Sequence, residues 1–224
     1  MTRAGLGPEF SLLVLCCRWN FATANGVSRP AIPNDVDWVR FVSLARRHRI
    51  QGLVWNALAQ HADRLPDQVK AVLSSDARSI AATNLGIAGE CRELQQAFER
   101  SKLPLLFVKG LSVGALAYRS PMLKMGWDID LLIDPRDLPT AAGLLSERGF
   151  TLRLPASPRQ LQSWHARSKE SVWSRDESMY IELHTRLADN LRLIPTIDVR
   201  SPRQLVDIAP GVALPTLAGD ELFA

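Results

Sequence analysis

The chain has 224 residues and a formal net charge of +4, from 27 Lys and Arg against 23 Asp and Glu. Hydrophobic content of 46% and charged content of 22% are ordinary for a globular protein. No apolar run approaches the roughly 20 residues that a membrane helix needs. Three cysteines without disulfide or metal-ligand spacing argue against zinc and favour a reducing, cytoplasmic location. The basic residues are scattered, so a nucleic-acid-binding stripe is not predicted.

Residues 1–102 are predicted to be mostly helical. Asn34 or Asp35 is expected to cap a helix, whose apolar stripe is Trp38, Phe41, Val42 and Ala45. A short helix is predicted from Gly52 to Gln60, and Pro66 is expected to begin a longer one.

A buried strand is predicted at Pro104–Val108, followed by the turn Lys109-Gly110-Leu111-Ser112 and an apolar helix. Such a strand, glycine turn and helix start can bind an anion, because free backbone N–H groups point at the ligand. Lys109, Gly110 and Ser112 are therefore candidate phosphate contacts. Two alternatives stay open: Lys109 can be a structural residue of the loop, and Ser112 can simply begin the helix.

Asp128-Ile129-Asp130 opens the apolar run Leu131–Ile133. In an extended chain residues i and i+2 face the same side, so the two carboxylates are expected to point at one place. Adjacent like charges are costly without a cation, and Mg²⁺ prefers such oxygen ligands. The alternative is a pair of solvated acids at a strand end.

After the acid pair we expect a helix over 136–148, ended by Gly149, and a strand over 150–154. Ser171–Ser174 and Met179–His184 are predicted to form a hairpin. In its second strand Tyr180, Glu182 and His184 share one face. The alternative is that this is an ordinary polar face, which a strand with an apolar inner face turns to solvent. A lone strand histidine such as His184 is more often a hydrogen-bonded structural residue than a base. Pro215–Ala224 is interpreted as the start of a helix that stops abruptly, which suggests truncation.

This order of elements resembles the polymerase-β-like nucleotidyltransferase superfamily. Within it, residues 103–190 resemble an uncharacterised bacterial nucleotidyltransferase family, including its "ELH" segment at Glu182-Leu183-His184. The resemblance implies an α+β fold, with a small mixed β-sheet and a helical N-terminal region packed on it. It divides the chain into a helical region at 1–102, a catalytic core at 103–200, and the start of a C-terminal region at 201–224.

The implied reaction moves a nucleoside monophosphate from an NTP to an acceptor hydroxyl, with two Mg²⁺ ions assisting. The implied catalytic and metal-binding residues are Asp128, Asp130 and Glu182. The implied nucleotide-binding residues are Lys109, Gly110, Ser112 and Lys124. Two departures from the related sequences matter: Leu111 directly follows Gly110, and Lys124 stands where arginine is frequent. A lysine is a point charge rather than a planar fork, so its phosphate contact is expected to be looser.

The acceptor is not identified by the sequence, although a small molecule, peptide or protein is favoured over nucleic acid. Two other classes compete: a non-catalytic nucleotide- or partner-binding module on the same fold, and a phosphate-ester hydrolase. For the metal-free protein we expect the acids to repel one another, so that Asp130→Asn stabilises the fold. We also expect Lys109→Met to leave the melting temperature nearly unchanged.

Overall fold

The structure, a computed structural model, describes residues 7–22, 30–190, 192–194 and 196–222. The chain divides into two units, the first formed by Met1–Asn84 with Ala117–Met125 and the second by Leu85–Leu116 with Gly126–Ala224. The long helix α4 contributes residues to both. The sequence-based boundaries at 102 and 200 stay predictions.

The first unit is helical, as predicted. Its elements are α1 (Pro8–Ala22), α2 (Trp38–Arg47), α3 (Gln51–Leu58), a 3₁₀ turn (Ala59–Arg64) and the first half of α4 (Asp67–Arg100). The expected caps of α2 were wrong: Asn34 and Asp35 lie in a turn, and Asp37 is the N-cap. Its side chain accepts a hydrogen bond from the backbone N–H of Arg40 at 3.0 Å, so the helix begins at Trp38.

An apolar core holds the first unit together. Its largest members include Leu12, Phe41, Leu58 and Leu73, each fully buried. Gly52 lies close to the 117–125 segment of the same unit. A Cβ there would come within 2.2 Å of the Leu123 carbonyl oxygen, so only glycine fits.

The second unit contains a five-stranded mixed sheet in the order β1-β2-β5-β4-β3. Its strands are β1 (Leu106–Phe107), β2 (Asp128–Leu132), β3 (Thr151–Leu154), β4 (Glu170–Arg175) and β5 (Met179–His184). The helices of this unit include the second half of α4, α6 (Leu138–Glu147) and α7 (Leu161–His165). They also include α5 (Leu111–Tyr118), whose last two residues belong to the first unit. Strand β2 pairs parallel with β5, and the other strand pairs are antiparallel. The predicted α+β class, with a mixed sheet and a helical N-terminal region, is confirmed.

The two faces of this sheet differ in chemistry. Alternation along β2 and β5 sends Ile129, Leu131, Ile181 and Leu183 into the apolar core, where they pack with α4 and α6. The opposite face carries the acids of the same strands. The core therefore fixes the strand register, because a slip of one residue would turn the acids into the apolar core.

The C-terminal helix expected over Pro215–Ala224 begins later than predicted, because the first residues of that range belong to a strand. The segment is a two-stranded sheet, β6 (Arg203–Ala209) and β7 (Val212–Leu217), followed by the short helix α8 (Gly219–Leu222). Val212, Leu214 and Thr216 are buried in alternation, which is the period of a strand rather than a helix. Residues 223 and 224 lie outside the described residues.

All three cysteines are free thiols. Within the described ranges, none of the helices combines the length and apolarity needed to cross a bilayer. A cytoplasmic location stays a prediction.

Candidate active site

Strands β2 and β5 bring two of the predicted acids together. Asp130 and Glu182 are register partners in this parallel pair, and their side chains share the face opposite the apolar core. The Asp130 side chain is 2% exposed, whereas that of Glu182 is 24% exposed. Asp130 is therefore buried, whereas Glu182 is partly accessible to solvent.

Two nitrogen atoms approach the same pair of carboxylate oxygens. Lys109 Nζ lies 2.6 Å from Asp130 Oδ1 and 3.5 Å from Glu182 Oε2. His184 Nε2 lies 3.0 Å and 3.5 Å from the same two atoms. We call these four residues the acid cluster.

The acid cluster shifts the pKa values of its members. Burial alone would raise the pKa of Asp130, but hydrogen bonds from His184 and Lys109 outweigh it and lower the pKa. Burial opposes protonation of Lys109 and of His184, yet the neighbouring carboxylates raise both pKa values. Attraction thus dominates at Asp130, so these contacts favour a loss of stability on Asp130→Asn in the metal-free protein, the reverse of the expectation from sequence.

Asp128 is the acid that experiences repulsion. Its pKa is raised first by burial and then by the negative charges of Asp130 and Glu182, with Lys109 only partly compensating. Three carboxylates therefore face a single lysine charge. A site of this kind fits a divalent cation, since one would neutralise charge that the side chains leave uncompensated.

A metal-binding group can be formed here. Asp130, Glu182 and His184 each offer a ligand atom, and these atoms lie within 4.8 Å of one another. Carboxylate oxygens suit Mg²⁺ and Mn²⁺, and imidazole adds affinity for transition metals. Asp128 is not part of that group, so its predicted role as a ligand stays a prediction.

The predicted phosphate loop lies beside these acids. Gly110 has φ +61°, a left-handed conformation that favours glycine. A Cβ at this position would only reach ordinary contact with the Asp128 carbonyl oxygen, so the backbone conformation and not the available space requires glycine. Ser112 is completely buried near the start of α5, and its Oγ has no hydrogen-bond partner among the described residues. A cavity of about 10 Å³ lies between this loop and Asp128, room for about one water molecule.

Lys124, the fourth predicted nucleotide contact, belongs to the first unit. Its backbone carbonyl accepts a hydrogen bond from Asn84 Nδ2 at 2.8 Å, as does the carbonyl of Pro121. Asn84 is fully buried and shapes this segment. The phosphate contact of the Lys124 side chain stays a prediction.

Glu170 was missed by the sequence analysis. It pairs with His184 in the β4–β5 register, and its Oε2 lies 3.4 Å from His184 Nδ1. Lys169 Nζ lies 2.5 Å from the same oxygen. In the observed register Arg175 pairs with Met179, and counting outward places Glu170 opposite His184. The predicted hairpin left Arg175 in the turn and therefore missed this partner.

A family profile described as "Uncharacterised nucleotidyltransferase" matches residues 34–221, which is most of the chain. The chain belongs to this family. The predicted family is therefore confirmed, and with it the general class of nucleotidyl transfer. A search among curated proteins finds no match.

Proposed function

We propose that this nucleotidyltransferase moves a nucleoside monophosphate from an NTP to an acceptor hydroxyl and releases pyrophosphate. The observation that carries the proposal is the pairing of Asp130 with Glu182 on one sheet face, contacted by Lys109 and His184. The acceptor oxygen would form a bond to the α-phosphorus. The bond from that phosphorus to the oxygen of the leaving pyrophosphate would break, and the acceptor proton would pass to a carboxylate.

Asp130 and Glu182 are the residues proposed to hold a divalent cation, with His184 and Asp128 as further candidates. Once bound, such a cation supplies charge neutralisation for the phosphates and acidifies the attacking hydroxyl. Magnesium as the ion, a second ion, and ATP as the nucleotide stay predictions.

The chain's own residues have separate tasks in this proposal. Lys109 presents a positive charge to the phosphate groups, and Ser112 offers a hydroxyl next to the glycine turn. His184 fixes the carboxylate of Asp130, because it is 1% exposed and contacts Asp130 Oδ1 at 3.0 Å. Glu182, the more exposed acid, is the candidate to accept the proton of the acceptor hydroxyl.

The first test measures binding and is independent of the unknown acceptor. Thermal melting is followed with Mg²⁺ and the α,β-methylene analogue of each of the four NTPs. At least one analogue should raise the melting temperature of the wild type, since a ligand that binds only the folded state stabilises it. Asp130→Asn should lose most of that rise. Asp207→Asn, which neutralises an exposed acid in the same unit, should keep it.

The second test measures the reaction. Pyrophosphate release from each NTP is followed with hydroxyl-bearing small molecules, with peptides, and with the protein alone to detect self-modification. Release of inorganic phosphate instead would identify a hydrolase. Nucleotide binding without any turnover would favour the non-catalytic binding module, and stabilisation by none of the analogues would overturn the proposal.

A further inference from the structure

Lys109 and His184 use the acceptor capacity of one oxygen of the acid cluster. Asp130 Oδ1 receives both Lys109 Nζ, at 2.6 Å, and His184 Nε2, at 3.0 Å. A carboxylate oxygen has about two lone-pair positions. A cation that binds this oxygen must therefore replace one of the two nitrogen atoms.

His184 is not the one that can leave. Its side chain is 1% exposed and lies at the end of the central strand β5. On its other side, Nδ1 faces Glu170 Oε2 at 3.4 Å. Moving this ring would separate it from carboxylates at both nitrogen atoms.

Lys109 can leave. Its side chain is 53% exposed, it lies in the loop after β1, and it is followed by Gly110 in a left-handed turn. A lysine has a flexible four-carbon stem and carries its charge as a point that is easily rehydrated. Its ammonium can reach solvent without any change in the sheet.

The space around Lys109 also argues for movement. Lys109, Gly110, Ser112 and Asp128 line the cavity of about 10 Å³ that holds about one water molecule. A phosphate group is far larger than one water. Phosphate can therefore occupy this cavity only if the loop side chains rearrange.

We propose that Lys109 is an internal counter-ion, which holds the place of a divalent cation between Asp130 and Glu182 and yields it when metal and nucleotide bind together. This proposal rests on the proposed nucleotidyltransferase function. The displaced ammonium finds a new partner in the phosphates, so metal and nucleotide assist each other's binding. Without nucleotide, Lys109 competes with the metal and keeps the site closed to it.

The test measures metal affinity in the absence of nucleotide. Free Mn²⁺ is counted by electron paramagnetic resonance during titration of the wild type, Lys109→Met and Lys109→Arg. A side chain that only contacts phosphate would leave metal affinity unchanged when removed. An internal counter-ion predicts the opposite: Lys109→Met should bind Mn²⁺ more tightly than the wild type, by several-fold and up to roughly tenfold for one charge-assisted contact.

Matched controls separate this effect from general electrostatics. Lys109→Arg keeps the positive charge at the acids and should retain the weak metal affinity of the wild type. Lys102→Met removes one positive charge from the same unit at an exposed position outside the acid cluster. It should change Mn²⁺ affinity by less than about twofold, because a solvent-exposed charge without contact to the acids is screened by water and salt.

Several outcomes would overturn the proposal. One is that Lys109→Met binds Mn²⁺ no more tightly than the wild type. Another is that Lys102→Met gains as much Mn²⁺ affinity as Lys109→Met does. If Lys109→Met does not fold, Lys109→Gln replaces it, and failure of both to fold would show that Lys109 is structural and cannot leave. Failure of the proposed function is distinguishable, because it would appear as absent nucleotide binding and pyrophosphate release, which the metal titration does not use.

Discussion

Two charged clusters in the second unit differ in their ratio of acidic to basic side chains. The acid cluster and the neighbouring Asp128 together place three carboxylates near one lysine and one histidine, and that lysine is half exposed. In the second cluster, which we call the arginine cluster, the single carboxylate of Glu90 is shared by Arg148 and Arg175. Arg148 Nη2 lies 3.0 Å from Glu90 Oε1, and Arg175 Nη2 lies 2.5 Å from Glu90 Oε2.

The choice of cation explains the difference. A guanidinium is a planar fork that can satisfy several acceptors in fixed directions, whereas an ammonium is a mobile point charge. Arg175 also donates to the carbonyl of Arg148 at 3.2 Å and lies over the Phe150 ring at 4.7 Å. The arginine cluster thus ties α4 to the end of α6 and to β4. The acid cluster with Asp128 has more carboxylates than the lysine charge balances, which suits the binding of a cation.

The largest expected effect is on the arginine cluster. Glu90→Gln should lower the free energy of unfolding by about 3 kcal/mol, because removing one partner leaves buried charges without compensation. We choose the low end of the usual range since both guanidinium groups are partly exposed. Urea denaturation measures the change.

Glu93→Gln is the matched control for this prediction. Glu93 Oε2 lies 3.8 Å from Arg148 Nη1, but the Glu93 side chain is 54% exposed. Its loss should cost less than about 1 kcal/mol, as for other surface ion pairs. Equal costs for the two variants would show that the arginine cluster is not a structural tie.

The second prediction compares two acids of the active site in the metal-free protein. Asp130→Asn should cost about 2 kcal/mol, because it weakens charge-assisted hydrogen bonds from His184 and from a half-exposed lysine. Asp128→Asn should instead stabilise the protein by about 0.5 kcal/mol, since it removes repulsion from Asp130 and Glu182. Urea denaturation at pH 7 without divalent cations measures both.

The pH dependence of this difference follows from the lowered pKa of Asp130. A carboxyl group whose pKa is lower in the folded state contributes stability above its unfolded pKa of about 3.9 and loses it as pH falls through the folded value. The cost of Asp130→Asn should therefore shrink below about pH 4. A cost that is constant with pH would mean that charge is not its source.

The same comparison shows what the sequence could predict. Asp130 and Glu182 were predicted because period-two alternation within a strand is local, and each strand could be recognised by itself. The attraction at Asp130 was not, since it depends on His184 from β5 and on Lys109 from the loop after β1. Nor could the arginine cluster be predicted, because Glu90 lies on a helix 58 residues before Arg148 and 85 before Arg175.

Local sequence pattern also gave wrong predictions at the C-terminus and at the start of α2. Pro215 resembled a helix start, yet β7 is decided by its pairing with β6, in which Leu205 lies opposite Pro215. The cap of α2 was missed by two residues, because several Asx residues precede the helix and only hydrogen bonding to Arg40 selects Asp37. In both places tertiary or backbone hydrogen bonding chose between residues that propensity ranks alike.

The last prediction exchanges a planar guanidinium for a compact ammonium group in one cluster and makes the reverse exchange in the other. Arg175→Lys keeps the positive charge but cannot contact both Glu90 and the Arg148 carbonyl, and it weakens the contact with the Phe150 ring. We expect the free energy of unfolding, measured by urea denaturation, to fall by about 1 kcal/mol, which is the usual contribution of one hydrogen bond. Lys109→Arg, the reverse exchange in the acid cluster, should leave the stability within about 0.5 kcal/mol, as is usual for exposed positions. A larger cost at Lys109 than at Arg175 would contradict the division drawn between the two clusters: the lysine would then be the fixed cation, and the arginine cluster the adaptable one.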